Sequence, residues 1–79
     1  MKKVTKKQKE QITEIGQMIM ANVIDYTMKN NLEVSEDYTK ECKRFVINTT
    51  KAKTEQELVH EMKLFYIVTS AMYPQVINQ

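Results

Sequence analysis

The sequence predicts an all-α fold, a small three-helix bundle, and three observations support this prediction. One Gly and one Pro in 79 residues are too few for a turn-rich β fold. Apolar side chains recur at steps of three and four, which is the period of an amphipathic helix. Helix-start signals precede these series. We therefore expect helices at about 5–29, 35–50 and 54–73.

The first predicted helix begins at a capping box, in which Thr5 is the N-cap and Gln8 is the N3 residue. It should end at Asn30-Asn31, because Asn tolerates the left-handed conformation of a helix end. The stripe expected to face the core is Ile12, Ile15, Ile19, Val23 and Tyr26.

The second predicted helix has Ser35 as its candidate N-cap. Glu36 and Asp37 follow in the first turn, where negative charge complements the helix dipole. Its core stripe is Tyr38, Cys42, Phe45 and Thr49.

The third predicted helix follows the clearest local signal, a T-x-x-E capping box formed by Thr54 and Glu57. It ends before Pro74, because the residue preceding a proline disfavours the α conformation. We expect one domain over 1–79, with flexible ends at 1–4 and 75–79. The core stripe of this helix is Leu58, Met62, Phe65, Thr69 and Met72.

The first and third helices carry more apolar side chains than one small bundle needs. A domain of this size buries only about 60% of its unfolded surface and usually needs a disulfide, a metal or a partner chain. Cys42 is the only cysteine, so no intrachain disulfide can form. The surplus is buried either more widely within the chain or, as we favour, against a homodimer partner or a larger host protein. The predicted interface residues are Met20, Ile24, Met28, Leu64, Ile67, Val68 and Ala71.

The sequence offers no convincing catalytic or metal site. Glu57 and His60 form an E-x-x-H, but a di-iron bundle needs two such motifs and this chain has one His. Cys42 lies on an apolar stripe without the positive surroundings of a reactive thiol. Gly16, the only Gly, fits a close helix approach rather than a phosphate loop. We therefore expect no enzyme activity, no metal and no cofactor.

Positive charge is concentrated at the start of the chain. Residues 1–10 contain five Lys and one Glu, a net charge of +4, whereas the whole chain carries +2. Such a patch is either solvated or assists contact with an acidic protein surface or with phosphate. The patch consists of Lys2, Lys3, Lys6, Lys7 and Lys9.

Hydropathy and composition predict a soluble, cytoplasmic protein without a membrane partner. The longest uncharged apolar run is about ten residues, whereas a spanning helix needs about 20. The N-terminal segment lacks the apolar region of a signal peptide. The bias towards Lys, Ile and Thr is typical of AT-rich coding sequences, which low-GC bacteria and their phages have.

The leading functional hypothesis is a non-enzymatic helical interaction module. It would act as a regulator or inhibitor of the phage or mobile-element type that binds a larger cytoplasmic protein and sterically blocks it. A first alternative, less favoured, is a DNA-binding transcriptional regulator that uses Lys40, Lys43, Arg44 and the N-terminal lysines. A second alternative is a helical-bundle immunity protein that neutralises a peptide toxin.

Overall fold

The computed structural model of the protein describes residues 3–78. Its helices are α1 (Lys6–Lys29), α2 (Glu36–Lys51), α3 (Glu55–Met72) and the single turn α4 (Pro74–Ile77). Helices make up 82% of the structure, and the described residues contain no strand. The all-α prediction is confirmed. Within residues 3–78, no helix combines the length and the apolar character that crossing a membrane requires.

The three long helices run up, down and up. The backbone N–H of Val4 donates to the carbonyl of Lys53 at 3.1 Å, so the starts of α1 and α3 lie together. The hydroxyl of Tyr73 accepts from the backbone N–H of Ser35 at 2.9 Å, so the end of α3 meets the start of α2. Helices α1 and α3 are therefore parallel to each other, and α2 is antiparallel to both.

Both ends of α1 follow the sequence prediction. Thr5 and Gln8 form the reciprocal capping box. At the other end Asn31 takes the left-handed conformation with φ of 55°. The N–H of Leu32 donates to the carbonyl of Thr27 at 2.8 Å, which completes a Schellman motif and satisfies a helix-end carbonyl.

The starts of α2 and α3 differ in detail from the prediction. Ser35 is the N-cap of α2, but its side chain makes no capping hydrogen bond. The hydroxyl of Thr54 accepts from the N–H of Glu57 at 3.2 Å, as predicted. The carboxylate of Glu57 accepts from the N–H of Lys53 at 3.3 Å rather than from that of Thr54, so only half of the capping box forms.

An aromatic cluster fills the core between the helices. Phe45 and Phe65 are fully buried, and their rings stack at 4.5 Å between centroids. Tyr38 lies against Phe65 at 5.9 Å and meets Tyr73 edge to face at 5.1 Å. Gly16 allows α1 to approach this cluster, because a Cβ there would lie 2.9 Å from Cζ of Phe45 and nearer still to its Cε2.

The core stripes and the chain ends differ in places from the prediction. The stripes predict Ile15 and Met72 in the core, but these side chains are 46% and 37% exposed. The sequence predicts a flexible end at Val76, whereas the structure folds 74–77 into α4 and buries Val76 against the aromatic cluster. Residues 1, 2 and 79, also assigned to the flexible ends, lie outside the described part of the chain.

Candidate functional site

An apolar groove lies between α1 and α3, on the side of these parallel helices that α2 does not cover. It has two adjoining stretches of about 540 and 360 Å³, which share Ile12 and Val59. Its polar margin consists of Gln8, Gln11, Glu14, Glu55 and Lys63. We define the α1/α3 groove by its apolar side chains, which are Ile12, Ile15, Leu58, Val59, Met62, Tyr66 and Ile67.

The walls of the α1/α3 groove are open to solvent although they are apolar. Ile15, Val59, Tyr66 and Ile67 are between 46% and 60% exposed, whereas Leu58 is buried beneath them. Contiguous exposed apolar surface of this kind marks sites of contact with other macromolecules. Isolated exposed apolar residues would carry no such meaning.

The margin of the groove carries charge of both signs. The side-chain amide of Gln8 donates to the carboxylate of Glu55 at 2.7 Å, which links the two helices at one end. Glu14 stands on the α1 rim and Lys63 on the α3 rim. Within residues 3–78 neither Glu14 nor Lys63 forms an ion pair. Both charges are therefore available to a bound partner.

Three of the predicted interface residues lie partly inside the protein. Met20 and Val68 pack against the aromatic core cluster, and Leu64 is half-buried. Part of the surplus apolar surface is thus used by the chain itself, because the core extends onto the flanks of α1 and α3. For these three side chains, the alternative that the sequence leaves open, burial within the chain itself, applies.

The other four predicted interface residues are exposed. Ile67 lines the α1/α3 groove, and Ala71 is exposed one turn further along α3. Ile24 and Met28 are 49% and 71% exposed on the second half of α1 and do not line the groove. The structure therefore separates the predicted residues over two surfaces instead of one.

The lysine patch is only partly free for external contacts. Lys3, Lys6 and Lys7 are exposed, and Lys2 lies outside the described residues. The ammonium of Lys9 donates to the carbonyl of Thr50 at 2.6 Å. This bond places a positive charge at the C-terminal end of α2, where the helix dipole favours it.

Arg44, a residue of the DNA-binding alternative, is engaged within the chain. Its guanidinium makes two hydrogen bonds of 2.7 Å to Glu41 on α2 and a third bond to Glu61 on α3. Hydrogen bonding to Glu41 raises the pKa of Arg44 further above its ordinary value. Arg44 therefore ties α2 to α3, while Lys40 and Lys43 remain exposed.

Cys42 and His60 are the candidate reactive groups, and they differ in burial. Burial raises the pKa of the Cys42 thiol, which disfavours the nucleophilic thiolate. His60 is exposed beside Glu57. Among residues 3–78 no three His, Cys, Asp or Glu side chains are grouped so that they could hold a metal ion.

No family model, no curated protein and no solved structure matches this chain. The α1/α3 groove is the candidate functional site. The sequence signal for it was the apolar pair Val59 and Tyr66, which lie seven residues apart beside the Leu58 stripe. Such a pair shares one helix face, and on α3 this face turns towards α1.

Proposed function

We propose that the protein is a non-enzymatic interaction module whose α1/α3 groove binds another polypeptide chain. The observation that carries this proposal is the open, continuous row of apolar side chains between two parallel helices. Removing these side chains from water favours binding by about 25 cal/mol for each Å² of apolar surface, and the entropy cost of association opposes this gain. The charged rims favour one orientation of the partner and speed its association.

The module would regulate or inhibit a larger cytoplasmic protein by covering part of its surface, as regulators of the phage or mobile-element type do. Ile24 and Met28 stay the predicted contacts for that larger protein, because both are exposed and lie away from the groove. The exposed Lys3, Lys6 and Lys7 would assist this contact if the opposing surface is acidic.

The DNA-binding alternative has less support. Arg44 is held by two carboxylates, and Lys9 is bound to the end of α2. Both groups would have to give up these bonds to reach phosphate. The remaining Lys40 and Lys43 share α2 with Glu36 and Asp37, which would repel a nucleic acid.

Site-specific photo-crosslinking in living cells tests the proposed function. A photoreactive amino acid replaces Val59 in the groove or, as a control of similar exposure, Val46 on α2. We expect a discrete protein adduct from position 59 that Ile67→Lys removes, and no such adduct from position 46. Equal adducts from both positions, or none from position 59, would refute the proposal. Steeply salt-dependent retention on DNA would instead support the alternative of a DNA-binding transcriptional regulator.

A further inference from the structure

We propose that the chain which fills the α1/α3 groove is a second copy of this protein, in a two-fold dimer whose axis runs along the groove. The inference rests on the proposed function and names its partner. In this dimer α1 of each copy packs against α3 of the other. A two-fold interface needs a self-complementary surface, on which residue i contacts residue j and residue j contacts residue i.

The two charged rims have this self-complementarity. The bond between the side chains of Gln8 and Glu55 places these two residues at about the same level on α1 and α3. Glu14 lies six residues after Gln8, and Lys63 lies eight residues after Glu55. At a rise of about 1.5 Å per residue, the two charges differ in level by only about 3 Å. A two-fold axis along the groove therefore sets each Glu14 opposite the second copy's Lys63.

The exposed apolar side chains of the rims are arranged in the same way. Met18 follows Glu14 by four residues, and Ile67 follows Lys63 by four, so each lies one turn further along the same rim. Met18 is 67% exposed and Ile67 is 60% exposed. The axis that pairs the charges thus also sets Met18 opposite the second copy's Ile67.

An antiparallel arrangement of two copies that is centred at the level of these rims lacks this match. A two-fold axis across the groove would place α1 on α1 and α3 on α3. At the level of the rims this brings Glu14 towards the second copy's Glu14 and Lys63 towards the second copy's Lys63. Like charges at such distances disfavour the complex.

The size of the groove predicts a weak, reversible dimer. Eight and six side chains line its two stretches and two of these are shared, so twelve line the groove, and Met18 is a thirteenth contact from each copy. A standard stable interface uses about 20–30 residues from each side. We expect a dissociation constant on the order of 10 µM, at the weak end of specific association.

A charge swap measured by sedimentation equilibrium tests the dimer. Glu14→Lys or Lys63→Glu alone should weaken dimerisation roughly 10- to 30-fold, because each change makes two symmetry-related contacts repulsive. The double variant Glu14→Lys/Lys63→Glu should recover the wild-type constant. Lys43→Glu makes the same charge change on exposed α2 and should alter the constant less than about twofold. Helical circular dichroism verifies that every variant is folded.

Crosslinking checks the orientation of the two copies. In a Cys42→Ser background, a mixture of Met18→Cys and Ile67→Cys proteins should be joined by a short bismaleimide, whereas Met18→Cys alone should not. Efficient crosslinking of Met18→Cys to itself would overturn the parallel arrangement.

A wild type that stays monomeric at several hundred micromolar, or a double swap that fails to recover, would overturn the second-copy proposal. In that case an adduct of a different protein at position 59 would leave the proposed function standing. Loss of both the dimer and all adducts at position 59 would remove both.

Discussion

The same substitution, Thr to Val, should change the stability of the protein in opposite directions at Thr49 and Thr69. Both side chains are buried, at 1% and 0% exposure. The hydroxyl of Thr69 donates to the carbonyl of Phe65 at 2.8 Å and lies 2.9 Å from the hydroxyl of Tyr38. Because its one hydrogen goes to Phe65, Tyr38 must be the donor of the second bond. Among residues 3–78 the hydroxyl of Thr49 finds no hydrogen-bond partner.

Replacement by Val keeps the shape of Thr and removes only the hydroxyl. Thr69→Val leaves the buried hydroxyl of Tyr38 without its acceptor, which costs about 1–3 kcal/mol. Thr49→Val removes a buried group that pays a desolvation penalty without a bond, so we expect a gain of about 1 kcal/mol. For a domain of this size each kcal/mol shifts the melting temperature by roughly 4–8 °C.

Urea and thermal unfolding followed by circular dichroism measure both effects. Thr49→Val should raise the unfolding midpoint, and Thr69→Val should lower it, with little change in the urea m-value of either. Two shifts of the same sign and similar size would refute the reasoning, because the hydrogen bonds of Thr69 would then be worth no more than the unpaired hydroxyl of Thr49.

The remaining predictions concern the close approach of α1, the aromatic core and the end of α1. Gly16→Ala should lower the free energy of unfolding by about 1–2 kcal/mol, since the clash with the buried Phe45 ring exceeds the gain in helix propensity; Phe45→Leu should reduce this loss in a double-mutant cycle. Burial raises the pKa of Tyr38 from 10.0 to about 12. As the pH rises, the unfolded chain therefore loses the Tyr38 proton before the folded chain does. The free energy of unfolding of the wild type should fall by about 1.4 kcal/mol per pH unit between pH 10 and 12 because of this group. Tyr38→Phe should lack this contribution, and urea unfolding at a series of pH values measures the difference. Asn31→Val should lower the free energy of unfolding by about 1–2 kcal/mol in the same assay, because a β-branched residue disfavours a φ of 55°. An unchanged unfolding midpoint would contradict this account of the end of α1.

The helices could be predicted closely because their signals are local. Thr5, Asn31 and Thr54 each act within one turn of the chain, and the structure uses all three at helix ends. The short α4 was missed for the opposite reason. Pro74 correctly ends α3, but only the tertiary contacts of Val76 with the aromatic cluster reveal a further turn.

The stripe of α2 was predicted more reliably than those of α1 and α3. Its four stripe positions include the buried Tyr38, Phe45 and Thr49, because one face of α2 meets both other helices and the opposite face meets solvent. Helices α1 and α3 are apolar on their flanks as well. For them, periodicity indicates an apolar sector but does not say which part of it is covered.

The groove could not be predicted because the apolar stripes do not determine whether a three-helix bundle is left- or right-handed. Lys9 and Thr13 line a surface with Thr50 of α2, so the flank of α1 that continues to Met20 faces α2. The opposite flank, with Ile15, therefore faces α3 and forms the groove. In a bundle of the other hand these flanks would exchange neighbours, and the open apolar surface would include Met20 instead of Ile15.

The charges of the rims depend on the same choice of hand. Glu14 lies beyond Ile15 on α1 and Lys63 lies beyond Val59 on α3, and both charges border the groove because these two flanks face each other across it. With the other hand, the flank of α3 that carries Val59 and Lys63 would face α2, so Lys63 would no longer lie across the open surface from α1. The complementary rims and the exposed walls are thus consequences of one topological choice, and a charge swap at Glu14 and Lys63 tests that choice together with the dimer.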